Sequence, residues 1–197
     1  KYRDKLSFIR ELRALYKLGL SGCNIPAIKD IDFDNNILIF SYILGSVLRE
    51  ELAKKIPALR DRDVMNNISS ASLTRWEIRL KRIQEAKHIL FDVIDSQFME
   101  SLFNELKKVH ASGFIFNDIK YGNIIIEKNT GKPFLIDFEK SYDCSSLWKM
   151  AYRILCDQEI DNFNYYFNAE NITYQKVKES IKKKRISQNK IWYSSVY

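Results

Sequence analysis

Apolar residues Phe8, Ile9, Leu12, Leu15 and Tyr16 recur at helical spacing between Leu6 and Leu20, and Gly19 and Gly22 supply the stop. After the break at Asn24-Ile25-Pro26 the period changes. Ala27 to Phe33 reads as a strand, Asp34-Asn35-Asn36 as a tight turn and Ile37 to Tyr42 as a buried strand, which together predict a hairpin. Gly45 opens a linker, and Val47 to Ile56 reads as a short helix. Arg60 to Ser72 is polar and irregular, whereas Leu73 to Asp95 is dense in helix formers. Gln97 to His110 predicts a further helix with Phe98, Leu102, Leu106 and Val109 on its inner face, ended by Ser112-Gly113. Phe114 to Phe116 leads into a polar loop through Gly122, followed by a strand at Ile124 to Ile126. Turn chemistry at Asn129 to Lys132 precedes another strand within Pro133 to Phe138. Leu147 to Leu155 and Tyr174 to Lys184 read as helices. Strands that come in hairpins between helices, rather than in alternating βα units, predict an α+β fold.

With 197 residues, 46% of them hydrophobic and 13% aromatic, the chain can bury a substantial core as one domain or as one domain split into two lobes. It contains no apolar run long enough to span a bilayer. Opening on Lys1 rather than Met, without a signal-like core, it suggests that an N-terminal piece precedes it. Cys23, Cys144 and Cys156 are odd in number and widely spaced, which fits a reducing compartment better than a disulfide framework or a zinc site. Most of the net charge of +7 lies in one place: Lys176 to Lys190 holds seven Lys or Arg and one Glu. Such a cluster is either a solvated helix face or a contact for an anionic membrane or another polyanion. It does not by itself predict specific nucleic-acid binding.

The chemistry concentrates between His110 and Glu139. Asp118-Ile119-Lys120-Tyr121-Gly122-Asn123 is followed, nineteen residues after Asp118, by Asp137 in Leu135-Ile136-Asp137-Phe138-Glu139. Phosphoryl transfer needs a carboxylate to orient the acceptor hydroxyl, hard oxygen ligands for Mg²⁺ and a cation near the moving phosphoryl group. Asp118, the pair Asn123 and Asp137, and Lys120 supply these by type. A strand hairpin between Asn123 and Asp137 returns the chain to the same end and brings the oxygen ligands together. His110 and His88 are read as structural or surface residues of helices.

These residues resemble the catalytic loop and metal-binding Asp-Phe of the protein-kinase-like superfamily. Phe8-Ile9-Arg10-Glu11-Leu12 is similar to that family's αC helix, with Glu11 as partner of a strand lysine. Leu38 to Ile43 is similar to the strand entering the hinge, with Phe40 as gatekeeper and the backbones of Ser41 and Ile43 facing adenine. The resemblance spans roughly Phe8 to Leu155. It implies ATP and Mg²⁺ as cofactors and a bilobal fold, with an incomplete small N-lobe at residues 1–43 and a mainly helical C-lobe at 44–197. There are departures. Phe116-Asn117 stands where the family has His-Arg, Glu139 stands where it has Gly, and no Ala-Pro-Glu follows. No Gly-rich loop precedes the first helix, so the expected lysine is either Lys1 or lies upstream. This simplification is similar to atypical branches such as the bacterial lipopolysaccharide-core and Kdo sugar kinases.

The sequence therefore predicts an ATP-dependent phosphotransferase acting on a hydroxyl acceptor: a glycan, a lipid-linked sugar or protein Ser/Thr. Its expected setting is cytoplasmic, extending to the inner face of a membrane. The rival readings are a Ser/Thr protein kinase and a pseudokinase that keeps the fold as a binding module.

Overall fold

A computed structural model describes residue 2 and residues 4–55, 89–90 and 92–167. Lys1, the irregular stretch from Arg60, most of the Leu73–Asp95 helix, His88, the Tyr174–Lys184 helix and the basic Lys176–Lys190 cluster lie outside the described residues.

Helix α1 runs from Lys5 to Leu20. Asp4 caps it by accepting hydrogen bonds from the Ser7 N–H at 2.8 Å and the Ser7 hydroxyl at 2.9 Å. The helix buries Phe8, Glu11, Ala14, Leu15 and Leu18 along one face. At its end the Cys23 N–H turns back onto the Leu18 carbonyl at 3.1 Å, with Gly22 in the left-handed region at φ 68°. Strands β1 (Ile28–Asp32) and β2 (Ile37–Phe40) form the antiparallel hairpin expected from the sequence. Asp32 accepts the Asn35 N–H in the turn, and Asn36 adopts φ 52°.

The expected linker at Gly45 is instead a strand, β3 (Gly45–Val47), paired antiparallel with β5 (Ile124–Glu127). A Cβ on Gly45 would sit 2.2 Å from the Ile126 carbonyl oxygen, so only glycine permits this approach. Helix α2 (Leu48–Lys55) follows, and then α3 (Ser96–Ala111), capped by Asp95 through the Phe98 N–H at 2.7 Å. Its inner face buries Phe98, Leu102, Leu106 and Val109 as their spacing requires. Strand β4 (Phe114–Ile115) leads into the polar loop and a 3₁₀ turn at Tyr121–Asn123. Next comes the hairpin of β5 with β6 (Pro133–Leu135), in the register Ile124 opposite Leu135. The short β7 (Tyr142–Asp143) pairs with β4, and α4 extends from Lys149 to Phe167, a dozen residues past its expected end at Leu155.

Among the described residues one contiguous apolar core joins these elements, from Phe8 and Leu18 of α1 through Leu102 and Leu106 of α3 to Phe116, Phe138 and Phe163. The fold is α+β, as the order of elements predicts. No helix among the described residues is long and apolar enough to cross a membrane.

Candidate active site

Strand β2 ends at Phe40, and the chain then passes along the edge of a cavity of about 410 Å³. Phe40, Ser41 and Ile43 line it, together with Glu11 and Asp137. Ile125, Ile136 and Pro26 add apolar walls. The volume falls within the range of small-molecule sites, and aliphatic walls beside a polar backbone edge suit a flat heteroaromatic ring. Ser41 is locked to Ala27 twice: its N–H donates to the Ala27 carbonyl at 2.8 Å, and its hydroxyl accepts the Ala27 N–H at 2.9 Å. Its N–H is therefore already committed, so hydrogen bonding to a ring from this edge falls to the Ser41 carbonyl and the peptide of Ile43.

Two acids, Glu11 and Asp137, also line the cavity. Glu11 is 4% exposed, and its Oε2 has no hydrogen-bond partner among the described residues. Burial raises its pKa to about 7; backbone N–H groups at Phe138 and Glu139 pull it down, while the charges of Asp137 and Glu139 add to the rise. The Tyr2 phenol, which lines the same cavity, is pushed upward by burial and by the carboxylates of Glu11, Asp137 and Glu139. A buried carboxylate oxygen left without a hydrogen-bond partner is costly, and neighbouring acids make it more so. No cation among the described residues lines this cavity. Asp137 itself stands at φ 68°, a left-handed conformation that non-glycine residues adopt at some cost and that recurs where side chains must be aimed.

The second half of the site is the loop after β4. Lys120 Nζ lies 2.5 Å and Lys140 Nζ 3.0 Å from Asp118 Oδ2, and Asn123 Nδ2 donates to the same oxygen at 3.2 Å. Asn123 also donates to the Asp118 carbonyl at 3.1 Å, which folds the loop onto itself. Burial works against ionisation of Asp118, but the hydrogen bonds and charges of Lys120 and Lys140 outweigh it and lower its pKa. The Asn123 carbonyl accepts the Ile136 N–H at 3.0 Å, so the β5–β6 hairpin brings Asn123 beside the residue preceding Asp137. The structure thus gathers Asp118, Lys120 and Asn123 in one network, and Glu11, Phe40, Ser41, Ile43 and Asp137 around one cavity. The backbone bond from Ile136 to Asn123 links the two.

Three residues of this region were not singled out from the sequence: Tyr2, Lys140 and Glu159. Glu159 projects from α4 and is 1% exposed. It accepts the Phe116 N–H at 2.9 Å, the Asn117 N–H, and a hydrogen bond with His110 Nε2 at 2.9 Å. These bonds hold the loop where Asn117 takes φ 61°, and the Asn117 amide in turn donates to the Lys140 carbonyl at 3.1 Å. Phe116 packs against Phe138 in a tilted arrangement with ring centres 4.7 Å apart, both fully buried. Apolar packing thus joins the loop before Asp118 to the residue after Asp137. Glu159 lies beyond the expected end of its helix, so no periodicity marked it; Lys140, three residues after Asp137, had only its proximity in sequence as a signal.

Among the described residues no group of three or more His, Cys, Asp or Glu side chains is arranged to hold a metal ion. Mg²⁺ does not require one, since it keeps several waters and is commonly bound through one or two protein groups plus phosphate oxygens. The uncompensated acid corner at Glu11 and Asp137 fits such a cation. No family model matches the chain. By sequence it is similar to the KEOPS complex subunit Bud32 of Pyrococcus abyssi, 27% identical over 130 residues, which are 66% of this chain and 42% of that protein. It is also similar to the EKC/KEOPS complex subunit bud32 of Dictyostelium discoideum, 20% identical over 139 residues, 71% of this chain and 43% of that protein. The chain spans less than half the length of these curated relatives. These likenesses and the observed elements agree on an α+β protein-kinase-like fold.

Proposed function

We propose that this chain is an ATP- and Mg²⁺-dependent phosphotransferase acting on a hydroxyl acceptor. The observation that carries the reading is the buried Glu11 carboxylate, whose Oε2 has no partner among the described residues, lining together with Asp137 an apolar cavity edged by Ser41 and Ile43. Adenine would lie between Pro26, Ile125 and Ile136, reading the backbone from Ser41 to Ile43 beside Phe40. Asn123 and Asp137 would hold Mg²⁺, which neutralises charge on phosphate oxygens. Glu11 would receive a cationic side chain, Lys1 or a lysine upstream of it. In this reading residues 1–43 form the smaller lobe and residues 44–197 the larger.

The chain's own contribution centres on Asp118. Its Oδ2 is occupied by two ammonium groups and an amide, which fixes the carboxylate plane and leaves Oδ1 to accept the hydroxyl proton. A carboxylate held ionised this way is a weak base, so it orients the acceptor and takes the proton late, as suits a loose phosphoryl-transfer transition state. Lys120 and Lys140 stand where an incoming phosphoryl group would meet positive charge.

The acceptor is a glycan or lipid-linked sugar in the primary reading, which rests on the sequence alone: no Ala-Pro-Glu follows Asp137, a simplification that resembles sugar-kinase branches. The basic Lys176–Lys190 cluster would then gather an anionic acceptor at a membrane face. A second reading is a protein Ser/Thr acceptor or a role inside a multisubunit assembly. It is favoured by Lys120 and by two relatives whose names make them subunits of a complex. Calorimetry with Mg²⁺ and ATP tests the common core. Asp137→Ala removes a charged oxygen ligand, and losing a charge-assisted contact of about 1.5–3 kcal/mol should weaken Mg–ATP by about 10- to 100-fold. Equal affinity and equal metal dependence in parent and variant would remove Asp137 from the site.

A further inference from the structure

Helix α1 carries more than Glu11. Arg13 and Lys17 stand one turn apart on it and reach the same atom. Arg13 Nη2 lies 2.7 Å and Lys17 Nζ 3.0 Å from Asp143 Oδ2. The other oxygen, Oδ1, accepts the Ser145 N–H at 3.0 Å and the Ser145 hydroxyl at 2.6 Å, so the carboxylate is also oriented by its own loop. The Asp143 side chain is only 10% exposed, while Arg13 and Lys17 are 59% and 38% exposed, so solvent partly screens the pairs and their strength rests on two cations sharing one oriented carboxylate. The Lys17 ammonium also lies 5.6 Å from the centre of the Phe114 ring. Burial opposes ionisation of Asp143, but hydrogen bonds from Ser145 and Lys17 and the charge of Arg13 overcome it and bring the carboxyl down to about 2.

Asp143 belongs to β7, which pairs with β4, and the Cys144 N–H donates to the Gly113 carbonyl at 2.8 Å. Strand β4 runs directly into Asn117 and Asp118. The carboxylate therefore fastens the helix that bears Glu11 to the strand that delivers Asp118. We propose that Asp143 is a positioning residue: through Arg13 and Lys17 it sets α1 so that Glu11 faces Asp137, and the site is assembled without covalent modification. The proposal rests on the phosphotransferase reading. Where a segment is ordered by phosphorylation, the added phosphate supplies charge to basic side chains. Here a genetically encoded carboxylate already supplies it.

The test compares Asp143→Ala, Asp143→Asn, Arg13→Ala/Lys17→Ala and the triple variant in titrations with Mg–ATP and with adenosine. Adenosine fills the hinge end of the cavity but carries no phosphates to the Glu11–Asp137 corner. Each variant should weaken Mg–ATP by about tenfold, a usual size for coupling between two sites, and leave adenosine affinity unchanged. The triple variant should be no weaker than Asp143→Ala, because all remove one interaction. Asp143→Asn keeps the shape and the Ser145 contact, which guards against a simple folding failure. Unchanged Mg–ATP affinity, or equal weakening of both ligands, would overturn the proposal. A parent protein that binds no Mg–ATP sinks the phosphotransferase reading, and hydrogen exchange of the nucleotide-free protein then decides the positioning role. Faster exchange of α1 amides with α3 unchanged in Asp143→Asn supports it; identical α1 exchange in variant and parent refutes it.

Discussion

Two carboxylates border the site, and their surroundings are opposite. Glu11 is buried beside other acids with one oxygen unpartnered, and its pKa rises to about 7. Asp118 is half-buried too, but two lysines and an amide converge on one of its oxygens and its pKa falls. Burial acts in the same direction on both, so the neighbours decide the sign. The Asp118 corner is electrostatically complete within the chain. Among the described residues the Glu11 corner is not, and positive charge entering it would make it favourable. That difference separates a group held ready to act from a group that waits for a ligand.

The strongest way to break the comparison is at Asp118. Asp118→Asn preserves shape and much of the hydrogen bonding but cannot accept a proton. Turnover should fall by about 10²-fold or more, with Mg–ATP affinity nearly unchanged. Steady-state kinetics alongside calorimetry reads both, and near-parental turnover would dismiss Asp118 as the base.

At Glu11 the comparison can be sharpened through pH. The folded protein holds the Glu11 proton more tightly than the unfolded chain does. The carboxyl therefore costs nothing below its ordinary value near 4.5, and costs progressively more as pH rises through about 7. Glu11→Gln should accordingly stabilise the ligand-free protein by up to about 3 kcal/mol at pH 8 and leave it nearly unchanged at pH 4.5. Urea unfolding at the two pH values tests this, and a pH-independent effect would mean that Glu11 already has its cation.

The smallest expected effect belongs to Lys140, which is 52% exposed and shares Asp118 Oδ2 with Lys120. Lys140→Ala should raise the Asp118 pKa and move the acid limb of the kcat/KM profile to higher pH, by less than about one unit, because Lys120 remains. An unmoved limb would show that Lys120 alone holds Asp118 ionised.

Much of this was legible in the chain because it is local. The spacing of Phe8, Leu12 and Leu15 and the stop at Gly19 and Gly22 mark α1, although Ile9 and Tyr16 of the same pattern are exposed, and Phe98, Leu102, Leu106 and Val109 do the same for α3. The turn chemistry at Asn129 to Lys132 makes β5 and β6 a hairpin, which is enough to bring Asn123 towards Asp137. Other features depended on which segments meet. Strand β3 is three residues with no apolar alternation and exists because Gly45 lets it approach Ile126. Strand β7 is two residues held by β4. Glu159 and Asp143 are ordinary charged positions in one dimension. They become an anchor for the Phe116–Asn117 loop and a clamp on α1 only because folding buries them against donors more than 40 residues away in sequence. Periodicity reports which face of an element is buried, and turn residues report where the chain reverses. Neither reports the partner of a buried charge, because that partner is chosen by packing in three dimensions.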